Sequence, residues 1–305
     1  MILVTGPNGN VGTELVRMLI ADGTLPFRIA ANTPSKIEAL YGPDAPKVKF
    51  SFADRTTWDS ALAGVSLVFL LFPLPHPGTA RSWMLPFIAA AKAAGVKHII
   101  YLSVPTAGTS KIVPHYTVER AIEASGLDYT FLRAAFFSQN LIRDITTHAV
   151  DIATSNEIIV PAGDGLTGFV DSRDVAEVAV NVMRNPKAHA GQIYVLTGPE
   201  LLDFHEVAAI MTEELGRPIA YREPSIFRFW RTVGPRVTWD TLLFMIAVYV
   251  MTRRGKNKDM TDTLPRLLGR APRTMRDFVR DYSDRFTGDA AKVAVRVQTP
   301  GLKMG

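Results

Sequence analysis

Three features predict an α/β protein built on a doubly wound parallel sheet. The chain opens on a short apolar run, Ile2 to Val4, which leads through a glycine-rich turn into a helical pattern. Apolar runs and helical patterns then alternate through the first half. Those runs are continuously apolar, as in Leu67-Val68-Phe69-Leu70-Leu71-Phe72, which suits strands covered by helices on both faces. Such alternation implies right-handed βαβ units.

The opening turn reads Thr5-Gly6-Pro7-Asn8-Gly9-Asn10-Val11-Gly12. Gly6 permits a tight exit from the strand. Gly9 has no side chain to hold a pyrophosphate off the backbone. Gly12 lets the following helix, with Val11, Leu15 and Leu19 on one face, pack close. N–H groups at the helix start would then face the phosphates. The spacing is G-x-x-G-x-x-G rather than G-x-G-x-x-G, but the flanking strand and helix supply the context that the motif needs. The reading is a Rossmann-type dinucleotide-binding domain with Gly6, Asn8, Gly9, Asn10, Val11 and Gly12 at the diphosphate.

Further strands are expected at 27–31, 48–52, 67–72, 99–103 and 129–133, and helices at 35–41, 57–63, 82–94, 115–125 and 137–153. Ligands of such sheets bind beyond the carboxyl ends of the strands. After the second strand come Asn32, Thr33, Ser35 and Lys36, with Asn32 twenty residues past Gly12. A carboxylate there would grip the ribose of NAD. None is present, and Thr33, Ser35 and Lys36 can bind a phosphate, so NADP is the expected cofactor and NAD the alternative. Asp54, after the third strand, either meets the adenine amine or caps the next helix. Leu71, Phe72 and Pro73, with Leu74 and Pro75, form an apolar wall. Ser103 ends the fifth strand as a further cofactor candidate.

The second half reads as a smaller α+β C-terminal lobe. Strands are expected at 157–160, 168–170, 193–196 and 219–222, and helices at 171–183, 203–215, 238–253 and 275–286. The expected organisation is a dinucleotide domain over 1–155, its core shared with later segments, a substrate lobe over 156–286, and a disordered tail over 287–305. Residues 226–230 bring aromatic side chains, Trp230 among them, toward the substrate. The apolar core of 238–253, from Leu242 to Met251, is ten residues long. That is well short of the ~20 needed to span a bilayer. A buried lid or a subunit contact is the expectation. An interfacial helix is the alternative, because Arg253, Arg254, Lys256 and Lys258 follow.

Composition narrows the function. The 305 residues are 47% hydrophobic and include no cysteine, which excludes disulfides, thiolate metal sites and a thiol nucleophile. The six histidines show no metal-ligand spacing, and no G-x-S-x-G elbow marks a hydrolase. Met1 runs straight into the first strand, so no secretory leader and a cytoplasmic protein are expected. Net charge is −5 over residues 1–216 and +8 over 217–285. A basic lobe can attract nucleic acid, anionic lipid or an acidic ligand, but no nucleic-acid-binding motif accompanies the charge, and the favoured reading is a solvated Arg-rich surface with some Arg–Asp pairs.

The turn Thr5-Gly6-x-x-Gly9-x-x-Gly12 resembles that of the atypical short-chain dehydrogenases. His115-x-x-x-Glu119, then Ser125-Gly126-Leu127-x-Tyr129-Thr130-x-Leu132-Arg133, resembles the NmrA-like branch of that superfamily. So do Asp171-Ser172-Arg173-Asp174-Val175-Ala176 and Thr261-Asp262-Thr263-Leu264 before Leu268-Gly269-Arg270. The resemblance spans about residues 1–286. Within the branch it is closest to NADPH-dependent reductases of quinones and cationic triphenylmethane dyes, which also carry a histidine where relatives have the lysine of Tyr-x-x-x-Lys. This chain has no Tyr-x-x-x-Lys. Tyr116 precedes Arg120, Tyr129 precedes Arg133, and Lys111 stands where the tyrosine would align.

The resemblance implies roles for named residues. His115 positions the cofactor or donates a proton, Glu119 orients His115 from the next helical turn, and Tyr116 is a weaker catalytic candidate. Phe136, Phe137 and Asn140 line the nicotinamide and substrate cleft, with Ala134 replacing a usual proline. The missing relay points to an acceptor that takes hydride without localising charge on one oxygen. Two alternatives stand beside this reading. One is a non-catalytic redox sensor acting through a protein partner, and the other a secondary-metabolism reductase or isomerase. A small-molecule substrate and a monomer or homodimer are expected.

Overall fold

The structure is a computed structural model that describes residues 1–73, 78–143 and 147–287. The expected wall at Leu74 and Pro75 and the expected disorder of 288–305 lie outside the described residues. In chain order the first elements are β1 (Ile2–Thr5), α1 (Asn10–Asp22), β2 (Phe27–Ala31), α2 (Pro34–Tyr41), β3 (Lys47–Lys49), α3 (Trp58–Leu62) and β4 (Leu67–Leu71). Then come α4 (Leu85–Ala93), β5 (His98–Ser103), α5 (Pro114–Ser125), β6 (Asp128–Ala134), α6 (His148–Ser155), β7 (Glu157–Ile159) and β8 (Thr167–Gly168). The last are α7 (Ser172–Arg184), β9 (Gln192–Leu196), β10 (Leu201–Leu202), α8 (Phe204–Leu215), β11 (Ala220–Arg222), α9 (Ile226–Val233), α10 (Trp239–Arg253), α11 (Thr263–Leu268) and α12 (Met275–Asp281).

The first of two compact units joins Met1–Ala135, Ser172–Leu196 and Thr261–Ala271. Its seven-stranded sheet has the order β3-β2-β1-β4-β5-β6-β9, and every neighbouring pair is parallel. This is the Rossmann-type doubly wound sheet that the sequence predicts. The order reverses between β1 and β4, which places the ligand crevice beyond their carboxyl ends. Thr5 pins those ends together. Its hydroxyl donates to the Phe69 carbonyl and accepts the Leu71 N–H, both at 2.9 Å.

One sheet face buries Leu3, Val68, Leu70, Ile99, Tyr101 and Phe131 against Phe87 and Ile88 of α4 and Val118 and Ile122 of α5. Each such side chain contributes about 1.5–3 kcal/mol by leaving water. The expected third strand at 48–52 is only three residues, β3. Phe50 and Phe52, just past it, pack edge-on against Phe87, 5.2 and 5.3 Å between ring centroids.

The unit boundaries differ from those expected. Residues 172–196 and 261–271, within the range expected for the C-terminal lobe, are later segments that share the core of the first unit. The reason is pairing: β9 extends β6 in parallel register, Thr130 opposite Gln192 through Ala134 opposite Leu196. Thr261 then donates to the Val195 carbonyl at 2.7 Å, tying 261–271 to that strand. Residues 136–155, read with the dinucleotide domain, belong to the second unit.

The helix expected over 137–153 is not continuous. A 3₁₀ turn, Ser138–Leu141, comes first, and α6 starts only at His148. Thr147, immediately before α6, is left-handed at φ 60°, a conformation outside regular helix that is uncommon for a β-branched residue. The helix expected over 275–286 also stops early, with α12 giving way to a 3₁₀ turn at Ser283–Phe286.

The second unit holds two small sheets, β7 paired parallel with β11 and β8 antiparallel with β10. Phe136, Phe169, Phe204, Phe229 and Tyr249 pack together in its core. A capping box of Asp203 and Glu206 starts α8.

Candidate active site

The site is built first from the turn between β1 and α1. Gly6 sits at φ +63°, and a Cβ there would collide with the Leu71 side chain. Gly9 donates its N–H to the Gly6 carbonyl at 3.0 Å, closing the turn. A Cβ on Gly12 would run into that same carbonyl. Gly9 is the N-cap of α1, and no side chain among the described residues caps the helix. The first N–H groups of a helix have no intrahelical acceptor, and the macrodipole makes that end positive. A bare, positively polarised helix start fits a diphosphate.

Beyond β2, Asn32, Thr33, Ser35 and Lys36 are all exposed, and no carboxylate lies among residues 32–36. Thr33 precedes α2 without capping it. Asp54 takes the cap geometry. It accepts the Thr56 N–H at 3.1 Å and the Thr56 hydroxyl at 2.6 Å, and these bonds pull its carboxyl below the usual range.

The chemistry gathers one strand further on. Leu71 touches Gly6, and Phe72 follows it to lie against the His115 ring, 4.7 Å between centroids. On the other side Tyr101 rises from β5, wholly buried, with its hydroxyl 2.8 Å from Nδ1 of His115. Burial lowers the His115 pKa to about 4, so the ring is neutral at neutral pH. Burial, and then the Glu119 charge, raises Tyr101 well above the ordinary tyrosine range, so the phenol keeps its proton. Among the described residues that proton's one acceptor is Nδ1. The opposite direction would strand a buried hydroxyl proton, at a cost of about 1–3 kcal/mol. Tyr101 therefore donates to Nδ1, and the His115 Nε2 carries the hydrogen.

Glu119 does not orient His115, which corrects the sequence expectation. Its side chain is wholly buried and accepts from Ser103 Oγ at 2.6 Å, Arg133 Nε at 3.0 Å and Arg133 Nη2 at 2.6 Å. A buried carboxylate needs its charge met and its lone pairs filled, and Arg133 does both where a neutral imidazole could not. Ser103 thereby commits its proton to Glu119. Tyr116, half-buried, lies under Arg120, whose guanidinium is 5.6 Å from the ring centroid.

Two residues of this cluster were not singled out from the sequence. Tyr101 was visible only as a phenol inside an otherwise aliphatic strand. Arg133 was read as a piece of family pattern rather than as a partner of Glu119.

The remaining candidates lie in the second unit. Phe136 packs edge-on to Phe169 at 5.4 Å, and Phe137 forms a backbone bridge to Val170. Asn140 is half-buried, its N–H donating to the Phe137 carbonyl at 3.0 Å. Trp230 is 53% exposed, whereas its neighbour Phe229 is buried in the core.

Residues 1–249 match the NmrA-like family. The chain belongs to the NmrA-like family. It is 30% identical over 292 residues to the NAD(P)H azoreductase of Xenophilus azovorans, covering 94% of this chain and 99% of that one. It superimposes on the NADPH-dependent quinone oxidoreductase of Escherichia coli complexed with NADPH with a TM-score of 0.79 and 28% identity, covering 93% of this chain and 100% of that one. The Citrobacter sp. triphenylmethane reductase complexed with NADP(H) shares the fold at a TM-score of 0.78, with 23% identity and 92% and 99% coverage. In this NmrA-like chain the late motifs meet in space. Asp174 of the first, buried in α7, accepts from Arg270 of the second at 2.8 Å.

Proposed function

We propose that this NmrA-like protein is an NADPH-dependent reductase of small, flat, conjugated acceptors such as quinones and cationic dyes, with NADH the alternative donor. The observation that carries it is the neutral His115, held by Tyr101 and lying against Phe72 beside the carboxyl ends of β4 and β5. The Xenophilus relative is an azoreductase and the Escherichia coli neighbour a quinone oxidoreductase, so both act on conjugated acceptors.

The residues divide the work as follows. Gly6, Asn8, Gly9, Asn10, Val11 and Gly12 hold the diphosphate. Asn32, Thr33, Ser35 and Lys36 meet the adenosine end, Lys36 opposing a 2′-phosphate, with Asp54 at the rim. Leu71, Phe72, Pro73, Ser103, His115 and Phe136 are the candidate contacts nearer the nicotinamide. When bound, the reduced nicotinamide supplies the hydride. Nε2–H of His115 offers a fixed hydrogen-bond donor to the acceptor or to the cofactor amide. A positioned acid typically contributes ~10²–10⁴-fold when charge develops on one oxygen. A quinone or dye spreads that charge, so a neutral donor and solvent suffice and orientation does the rest. Phe137, Asn140 and Trp230 are assigned to the acceptor, and Tyr116 to a minor role. The protein is taken to be cytoplasmic, a monomer or homodimer, with no nucleic-acid partner.

The test is anaerobic mixing of the protein and NADPH with a panel of quinones and triphenylmethane dyes. Loss of the reduced-nicotinamide absorbance with each reducible acceptor is expected. Tight NADPH binding with no turnover across the panel overturns the reading in favour of a redox sensor.

A further inference from the structure

The second unit presents an apolar face that nothing in the described chain covers. α9 turns Ile226, Phe227 and Trp230 outward, 48%, 66% and 53% exposed, while Phe229 and Val233 enter the core. α10 buries Thr241, Leu242, Met245, Tyr249 and Thr252. Its outer side offers Trp239, Leu243 and Phe244 at 65%, 56% and 49% exposure. Helical periodicity adds Ala247, Val250 and Met251 to that side, with Asp240 its one charge. The two helices meet at Gly234, where an added Cβ would touch both Trp230 and Leu242. Scattered exposed apolar residues are ordinary, but six large ones on two consecutive helices mark a contact surface.

Charge identifies the occupant. Between residues 226 and 259 seven arginines and lysines stand against two carboxylates, Asp240 and Asp259. Arg236 is paired with Asp151 and Arg253 with Glu223. Arg228, Arg231, Arg254, Lys256 and Lys258 are exposed and have no ion pair among the described residues. Arg228 and Arg231 flank the aromatic stripe of α9, and the other three follow the end of α10. A second copy docked face to face would set these cations against their own counterparts. No helix among the described residues is long and apolar enough to cross a membrane.

We infer that this face docks peripherally on an anionic lipid bilayer. Phe227, Trp239, Leu243 and Phe244 enter the headgroup boundary, and the five unpaired cations meet lipid phosphates. Tryptophan and arginine side by side are the side chains that such an interface favours. The inference is independent of which acceptor is reduced.

The full chain is sedimented with vesicles of phosphatidylcholine alone and of phosphatidylcholine mixed with phosphatidylglycerol. Pelleting with the mixed vesicles only, weakened by added salt and accompanied by a blue shift of tryptophan emission, is the expected result. Two variants, Leu243→Ser with Phe244→Ser, and Arg254→Ala with Lys256→Ala and Lys258→Ala, each lower vesicle affinity at least about tenfold. Both keep the thermal melt and NADPH affinity of the parent. Three results overturn the inference: pelleting with neither vesicle, equal pelleting with both regardless of salt, or parental vesicle affinity in the cation variant. A concentration-dependent dimer that the Leu243/Phe244 variant abolishes also overturns it, and gives the face to a second copy.

Discussion

The Tyr101 hydroxyl and the Nδ1 of His115 lie 2.8 Å apart, a strand residue fixing the tautomer of a helix residue. The strand is rigid and buried on both sides, so the imidazole is aimed by the sheet rather than by its own helix. Tyr101→Phe removes the one hydrogen bond that fixes the ring while leaving the packing intact. Such a bond is worth about 0.5–1.5 kcal/mol net, up to tenfold in rate. Steady-state kinetics should show kcat reduced about tenfold with KM near the parental value, and titration should show unchanged NADPH affinity. A merely structural phenol would move stability and leave kcat alone.

Acid should weaken the fold through the half-buried His115 and the fully buried His148. The folded pKa of His115 is about 4, below the ordinary 6.5, and that of His148 about 3. Between pH 6.5 and the folded values the unfolded chain takes up protons that the folded chain refuses. Stability is therefore fully present above 6.5 and falls as pH drops toward 4. Urea unfolding from neutrality down to about pH 4.5 measures the slope, and His115→Gln should reduce it by close to one proton.

The Glu119–Arg133 pair should behave as a buried ion pair. Glu119 is 0% and Arg133 12% exposed. Glu119→Gln leaves the guanidinium without its counter-charge, and a loss of about 3–5 kcal/mol in unfolding free energy is expected. Glu119→Leu combined with Arg133→Met should recover much of that loss, because no lone charge is left behind. Recovery by the pair of substitutions but not by either single one is the signature in denaturant melts.

Two glycines of the opening turn should separate binding from folding. A Cβ at Gly9 would sit 3.3 Å from the Gly6 carbonyl, a contact that a shift of a few tenths of an ångström relieves, while one at Gly12 would collide with it at 2.0 Å. Gly9→Val should keep the melt of the nucleotide-free protein and weaken NADPH at least about tenfold, since its branches fill the space beside the helix start. Gly12→Val should lower the melt itself. Calorimetry with NADPH, paired with thermal unfolding, distinguishes the two.

Much of the fold was legible because it is written locally. β1, β2, β4, β5 and β6 are apolar runs bounded by turn residues, and period and punctuation place them. The glycine turn was legible for the same reason. What escaped is non-local. That residues 192–196 return to pair with β6 depends on a partner sixty residues earlier. The break in the helix expected over 137–153 is marked by the left-handed backbone of Thr147, which no periodicity reveals. At the site, Glu119 looked free to serve His115 because spacing alone puts them on one helix face. The arginine that claims it, Arg133, sits on strand β6. Asp54 was open between two readings, and only its hydrogen bonds to Thr56 decide the geometry.

The late arrival of β9 bears on how the molecule is made. While the nascent chain is shorter than about residue 190, β6 stands as an unsealed border of seven residues offering its amides and carbonyls to any passing strand. The ribosome must emit the whole segment Phe136–Asp171 before the strand that closes that border exists. A fragment ending near residue 155 is therefore no free-standing module, however complete its nucleotide turn. It calls for chaperone cover during synthesis and makes a poor truncation for expression or fusion.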